Sequence, residues 1–190
     1  MIKLNFHPIK SNHCCLIVLD RDNTLIQDDG YVHKIEDIRF LPGVTQGLRN
    51  ATHHGSAFVI ITNQGGIGLK KYQEADYLKF TNEMINQLDN LGIYINYVLA
   101  CPHHPDSPDV TKQKCKCRKP NTAMLQEAIS LMKIDQNRVA VFGDSRRDLI
   151  MADKLGIRSY LVDNNLENLL TSWINSHERI ENASQKPVSN

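Results

Sequence analysis

Asp20 and Asp22 leave the end of an apolar run, Cys14 to Leu19, and in extended chain residues two apart share a face. Carboxylates held side by side repel unless a proton or a cation lies between them. Mg2+, which prefers oxygen ligands and keeps several waters, suits that place. The same Asp-Arg-Asp-Asn stretch can also be a solvated turn, since Asp and Asn are ordinary turn residues. Three further segments bear on the choice. Ile61-Thr62-Asn63-Gln64-Gly65-Gly66 ends a second apolar run with a hydroxyl, side-chain amides and glycine-freed backbone N–H groups able to hold phosphate oxygens. Arg118-Lys119-Pro120 brings fixed positive charge ahead of a helical segment, where a phosphoryl group in transfer needs it. Phe142-Gly143-Asp144-Ser145-Arg146-Arg147-Asp148 ends another apolar run and adds Asp144, able to complete a metal site with Asp20 and Asp22. Each segment alone has a plain reading as a turn, a surface lysine or a strand exit. Together, each beside a strand or helix end, they supply the metal ligands, phosphate donors and positive charge that phosphoryl transfer needs.

A second constellation is Cys101-Pro102-His103 with Cys115-Lys116-Cys117, three thiols and an imidazole spaced C-x-H-x11-C-x-C. This is a soft tetrahedral set suited to Zn2+. Four protein ligands leave no open coordination position, so such a metal would be structural, cross-linking a 101–117 loop that has little apolar material of its own. Buried or redox-active cysteines are the plain alternative, and His104 is an alternative ligand to His103. Cys14 and Cys15 read as core of a strand. The cluster Lys112, Lys114, Lys116, Arg118 and Lys119 lacks the aromatic interleaving of a nucleic-acid surface, and a phosphorylated substrate accounts for its charge.

These residues must be positioned by the elements around them. Short apolar runs at Cys14–Leu19, Ala57–Thr62, Ile93–Ala100, Val139–Phe142 and Ser159–Val162 predict strands too apolar to leave one face in water. Between them, helical periodicity predicts helices over 44–54, 73–91, 123–132 (after Asn121 as N-cap), 148–155 and 166–176. The alternation is that of an α/β fold with a mostly parallel sheet. Two irregular stretches, 20–43 and 101–120, leave strands at the carboxyl edge, where open α/β sheets bind ligands.

The 190 residues, 21.6 kDa, fit one domain over 1–190, with a core over about 14–176 and a polar tail from about 181 to 190 read as frayed. A hydrophobic fraction of 41% and a charged fraction of 23% exclude disordered and fibrous classes. A net charge of +1 removes the bulk-charge argument for a nucleic-acid or membrane partner. No apolar run approaches the ~20 residues of a membrane span, and no secretory leader is evident, so the expected compartment is the cytoplasm. A monomer is the default.

In the order Asp-x-Asp, Thr, Lys, Gly-Asp-x3-Asp, the chain resembles the haloacid-dehalogenase-type phosphatases. The resemblance implies a Rossmann-like three-layer sandwich. It makes Asp20 the nucleophile that forms an aspartyl-phosphate and Asp22 the general acid and then base. Mg2+ would be held by the Asp20 carboxylate, the Asp22 backbone carbonyl and Asp144. Thr62 and Lys119 would stabilise the phosphoryl group, Asp148 would support the site, and Arg21 would face away. No large insertion separates Asp20 from Thr62 or Thr62 from Lys119, which leaves no room for a large cap domain.

A zinc loop running into Cys-Arg-Lys-Pro narrows the likeness to the branch of heptose-bisphosphate and histidinol-phosphate phosphatases, over about 16–163. Asp28-Asp29-Gly30-Tyr31-Val32-His33 looks like the specificity loop of the heptose-bisphosphate group. The resemblance therefore implies a small phosphorylated sugar as partner and removal of the 7-phosphate of a heptose 1,7-bisphosphate, feeding nucleotide-heptose and lipopolysaccharide-core synthesis. Histidinol phosphate is the alternative substrate, and an inactive zinc-loop binding module is the alternative from another class. Substrate contacts are expected from Asp28, Asp29, Gly30, Tyr31, Asn63, Gln64, Gly65, Arg118 and Ser145. Asn23, Leu69 and Ser145 stand where the family more often has Gly, Arg and Lys.

Overall fold

The computed structural model describes residues 1–9 and 13–184, with side chains followed as far as Ser176. Its centre is Leu16–Leu19 (β2), apolar and buried at every position. Ala57–Asn63 (β3) and Val139–Gly143 (β5) flank it in parallel, Tyr97–Cys101 (β4) adds beyond β3, and Arg158–Leu161 (β6) adds beyond β5. Ile2–Asn5 (β1) closes the far edge antiparallel to β4, giving the order β1-β4-β3-β2-β5-β6.

The two-residue period of β2 sorts its side chains into two cores. Ile17 and Leu19 pack with Val44–His53 (α1), Glu74–Asn90 (α3) and Leu166–Ser184 (α6), through Leu48, Phe80, Met84, Leu170 and Trp173. Leu16 and Val18 pack on the other face with Ala123–Met132 (α4) and Arg146–Asp153 (α5), through Leu125, Ala128 and Met151. At about 1.5–3 kcal/mol for each large apolar side chain buried, this double coverage holds the strand ends in register. No helix among the described residues is long and apolar enough to cross a membrane.

The α/β expectation is borne out, with local differences. The strand expected from Ile93 begins only at Tyr97, because Asn96 interrupts it: its side chain accepts the Phe58 N–H and donates to the His7 and Pro8 carbonyls. β1 is unanticipated, being four residues with alternating exposure. β6, expected to be buried on both faces, is an edge strand with Arg158 and Leu161 exposed. Thr122, not Asn121, occupies the N-cap of α4, and Asn121 instead donates to the Cys115 carbonyl at 3.1 Å. α5 starts two residues early, since Ser145 and Asp148 form a reciprocal cap. A four-residue helix, Gly65–Gly68 (α2), follows β3 directly. The polar tail is helical to Ser184, and 185–190 lie outside the described residues.

Candidate active site

The strand order puts Asp20, which follows β2, between the ends of β3 and β5. Four chain segments therefore converge on it. Lys119, 3% exposed, pairs its Nζ with Asp20 Oδ1 at 2.8 Å and Asp148 Oδ1 at 2.6 Å and donates to the Ile61 carbonyl at 3.0 Å. Asn63 fixes the Lys119 backbone at both ends, accepting its N–H at 2.9 Å and donating to its carbonyl at 3.1 Å. Asp148 is fully buried and accepts the Ser145 hydroxyl at 2.6 Å. That closeness explains Gly143, where a Cβ would fall 2.4 Å from the Asp148 carboxyl carbon.

Carboxylate oxygens of Asp20, Asp144 and Asp148 lie within 4.8 Å of one another. Lys119 is the cation in contact with Asp20 and Asp148, and Arg147 acts on Asp144 from the cavity wall, so the two buried carboxylates share one ammonium. Burial accordingly pushes Asp20 up to about 7, with Asp148 and Asp22 adding to the rise and Lys119 opposing it. Asp144 is raised as well, by burial first and by Asp148 next. An all-oxygen donor set of three clustered carboxylates fits a hard divalent cation. The Asp22 side chain stands outside this cluster.

Asp22 is gripped on both oxygens. Arg21 reaches Oδ1 at 2.7 Å, and the Gln64 Nε2 donates to Oδ2 at 2.9 Å, with the Thr62 hydroxyl 3.5 Å from the same oxygen. Arg21, expected to face away, instead lies buried beneath Asp22, with its guanidinium carbon 4.9 Å from the Phe80 ring centre and a bond to the Val32 carbonyl. Strand alternation stops at Leu19, and the chain turns at once through an Asp22–Ile26 bridge. Asn23 takes the left-handed conformation there, φ 54°.

Above these groups is a cavity of about 290 Å3 lined by Asp20, Asp22, Asp28, Gly30, Tyr31, Asn63, Gln64, Gly65, Arg118, Lys119 and Asp144. Three expected residues do not line it. Asp29 is paired with Arg39 at 3.3 Å on the surface, the Ser145 hydroxyl is spent on Asp148, and Thr62 is wholly buried beneath Gln64. Asp28 shapes its own loop by accepting the N–H groups of Gly30 and Val32. Tyr72, His104 and Arg147 also line the cavity, and sequence reasoning missed all three as site residues. Only Arg147 carried a signal, as one of two arginines beside Asp144.

The Cys101, His103, Cys115 and Cys117 ligand atoms also lie within 4.8 Å of one another, with Cys101 and Cys117 sulfurs 3.1 Å apart and His103 Nδ1 3.3 Å from Cys117. A hydrogen bond with Cys101 pulls the Cys117 thiol down to about 5, while Cys101 rises in turn. Such a group can bind a soft cation through thiolate. His104 is not part of it. The loop reaches the cavity directly, because the His103 carbonyl accepts Arg118 Nη1 at 2.9 Å.

Residues 15–154 match the family model for polynucleotide kinase 3 phosphatase. The chain is 37% identical over 144 residues to the D-glycero-beta-D-manno-heptose-1,7-bisphosphate 7-phosphatase of Haemophilus ducreyi, spanning 75% of this chain and 79% of that relative. The crystal structure of D,D-heptose 1,7-bisphosphate phosphatase from B. bronchiseptica, complexed with magnesium and phosphate, superposes with a TM-score of 0.71 at 26% identity, covering 89% of this chain and 99% of that one. A HAD-like phosphatase from Mesorhizobium loti gives a TM-score of 0.81 at 23% identity over 92% of this chain and 93% of the other, which speaks to fold alone.

Proposed function

The chain belongs to the haloacid-dehalogenase-type phosphatases, in the family described as polynucleotide kinase 3 phosphatase, and from that membership we propose that it removes the 7-phosphate of D-glycero-D-manno-heptose 1,7-bisphosphate. The observation that carries the reaction type is the convergence of Asp20, Lys119, Asp144 and Asp148 at the strand ends beneath one cavity. The names of the curated relatives, together with the Asp28–Tyr31 loop on the cavity wall, support the substrate.

In the first step an Asp20 carboxylate oxygen attacks phosphorus, the bond between phosphorus and the C7 oxygen breaks, and that oxygen, still on the sugar, takes a proton from the Asp22 carboxyl. In the second, the Asp22 carboxylate takes a proton from water as that water attacks the aspartyl-phosphate, releasing inorganic phosphate and restoring Asp20. Lys119 supplies fixed positive charge beside the nucleophile. Asp20, Asp144 and the Asp22 backbone carbonyl would hold Mg2+, with Asp148 beside them, and the ion would neutralise the charge of an incoming phosphoryl group. Arg118 and Arg147 on the cavity wall are suited to the phosphate that is not cleaved, Arg118 by its two-toothed fork. Cys101, His103, Cys115 and Cys117 would hold Zn2+, and this loop sets the place of Arg118. The product, a sugar 1-phosphate, is the form that a nucleotidyltransferase consumes in nucleotide-heptose synthesis for the lipopolysaccharide core.

Phosphate release is to be compared on heptose 1,7-bisphosphate, histidinol phosphate and a 3′-phosphorylated oligonucleotide. We expect the highest kcat/KM on the first, loss on magnesium removal with recovery on its return, and no turnover by Asp20→Asn. A higher kcat/KM on either other substrate would overturn the assignment. Turnover by Asp20→Asn would overturn the mechanism.

A further inference from the structure

Gln64 was expected to touch the sugar, yet its amide is occupied by protein. Nε2 donates to Asp22 Oδ2 at 2.9 Å and to the Thr62 hydroxyl at 2.8 Å, and Oε1 accepts the Tyr72 hydroxyl at 2.6 Å. Gln64 is 2% and Tyr72 6% exposed, so water does not compete freely for these bonds. An amide rotated by half a turn would set Oε1 against the Asp22 carboxylate and Nε2 against the Tyr72 hydroxyl, so an acceptor at one end and a donor at the other together select the observed rotation. Tyr72 is that donor, and burial raises its phenol further above the ordinary tyrosine range, so it keeps its hydrogen.

The ring of Tyr72 is itself fixed. It stacks on His33 with centroids 4.7 Å apart and planes 13° from parallel, and it fills the space where a Cβ on Gly66 would fall 2.2 Å from its Cε1. Arg21 secures the other Asp22 oxygen at 2.7 Å. One carboxylate is thus held closely by Arg21 and Gln64, with the longer Thr62 contact at 3.5 Å beside them, and Gln64 is oriented in part by Tyr72.

We propose that Tyr72 is a positioning residue for the reaction, fixing through Gln64 the amide rotation that aims the Asp22 carboxyl. The inference rests on the reading of Asp22 as general acid and base. Neither the sugar nor either phosphate needs to touch Tyr72, so its removal should lower turnover and leave substrate affinity in place.

The test is a double-mutant cycle on the full chain with magnesium present, using Tyr72→Phe, which keeps the ring, and Gln64→Leu, which keeps the shape. Tyr72→Phe is expected to lower kcat about tenfold with KM within about twofold of the parent, and to change nothing further in the Gln64→Leu background. Parental kcat in Tyr72→Phe, a rise in KM with kcat unchanged, or a full tenfold effect persisting without Gln64 would each overturn the proposal. Asp22→Asn, assayed alongside, separates the two readings: sustained turnover there removes the role of Asp22 itself, whatever the cycle shows.

Discussion

Replacing Lys119 by Met keeps the length of the side chain and removes the cation that bridges Asp20 and Asp148. Asp20 is 7% exposed, Asp148 fully buried, and their ion-pair distances to Lys119 are 2.8 and 2.6 Å. Removing one partner of a buried ionic cluster costs about 3–5 kcal/mol. At a urea dependence of about 2 kcal/mol per molar, that is a fall in unfolding midpoint of about 1.5–2.5 M. The loss must depend on pH. Asp20 stands near 7 in the folded chain, well above its unfolded value, so its contribution is most favourable below about 4 and declines as pH rises through 7. Without Lys119 the backbone N–H of Arg21 still donates to Asp20 at 2.7 Å, but the Asp148 and Asp22 charges are no longer offset by the ammonium, so Asp20 protonates at still higher pH and the penalty is relieved in acid. Urea unfolding in magnesium-free buffer should show the full midpoint loss at pH 8 and a clearly smaller one at pH 5.5. Turnover should fall about 10²–10³-fold, the usual consequence of deleting one preorganised donor to transition-state charge. An unchanged midpoint at pH 8, or an equal loss at both pH values, would refute the electrostatic account of the site.

Magnesium should raise the melting temperature by about 5–10 °C at pH 8 when present at a hundred times its dissociation constant, and by less at pH 5.5, because protons on Asp20 and Asp144 compete with the cation; thermal scans at the two pH values check the order. Gly143→Ala should cost about 1–3 kcal/mol in urea unfolding and reduce turnover with it, since the added methyl must displace Asp148; a neutral result would mean the strand end yields more easily than its packing implies. Cys117→Ser should lose bound zinc by metal analysis and raise KM about 10–100-fold, the worth of the bond from Arg118 to the His103 carbonyl, with a smaller effect on kcat.

The parts of the molecule visible in the chain were those whose chemistry and backbone position coincide. Asp20, Asp144 and Lys119 each leave a strand or enter a helix, and apolar runs such as Leu16–Leu19 fix which edge of the sheet they share. Roles set by side-chain direction after the strand ends were not visible. Arg21 turns under Asp22, Thr62 is covered by Gln64, and Ser145 caps α5, because each answers to a partner distant in sequence or to a turn. Tyr72 gave no sign of itself. It follows two lysines in an irregular stretch, and only tertiary packing against Gly66 and His33 brings it to Gln64. Asn96 broke an expected strand for the same kind of reason, by serving three backbone groups from separate segments.

The placing of β2 between β3 and β5 has a consequence for how this enzyme loses activity. Asp20, the Lys119 ammonium and the Asp148 carboxylate come from chain segments that the central strands bring together, so the cluster depends on the assembled sheet. On the proposed reading of Asp20, a substitution that unseats either flank of β2 disperses this cluster without touching Asp20 itself.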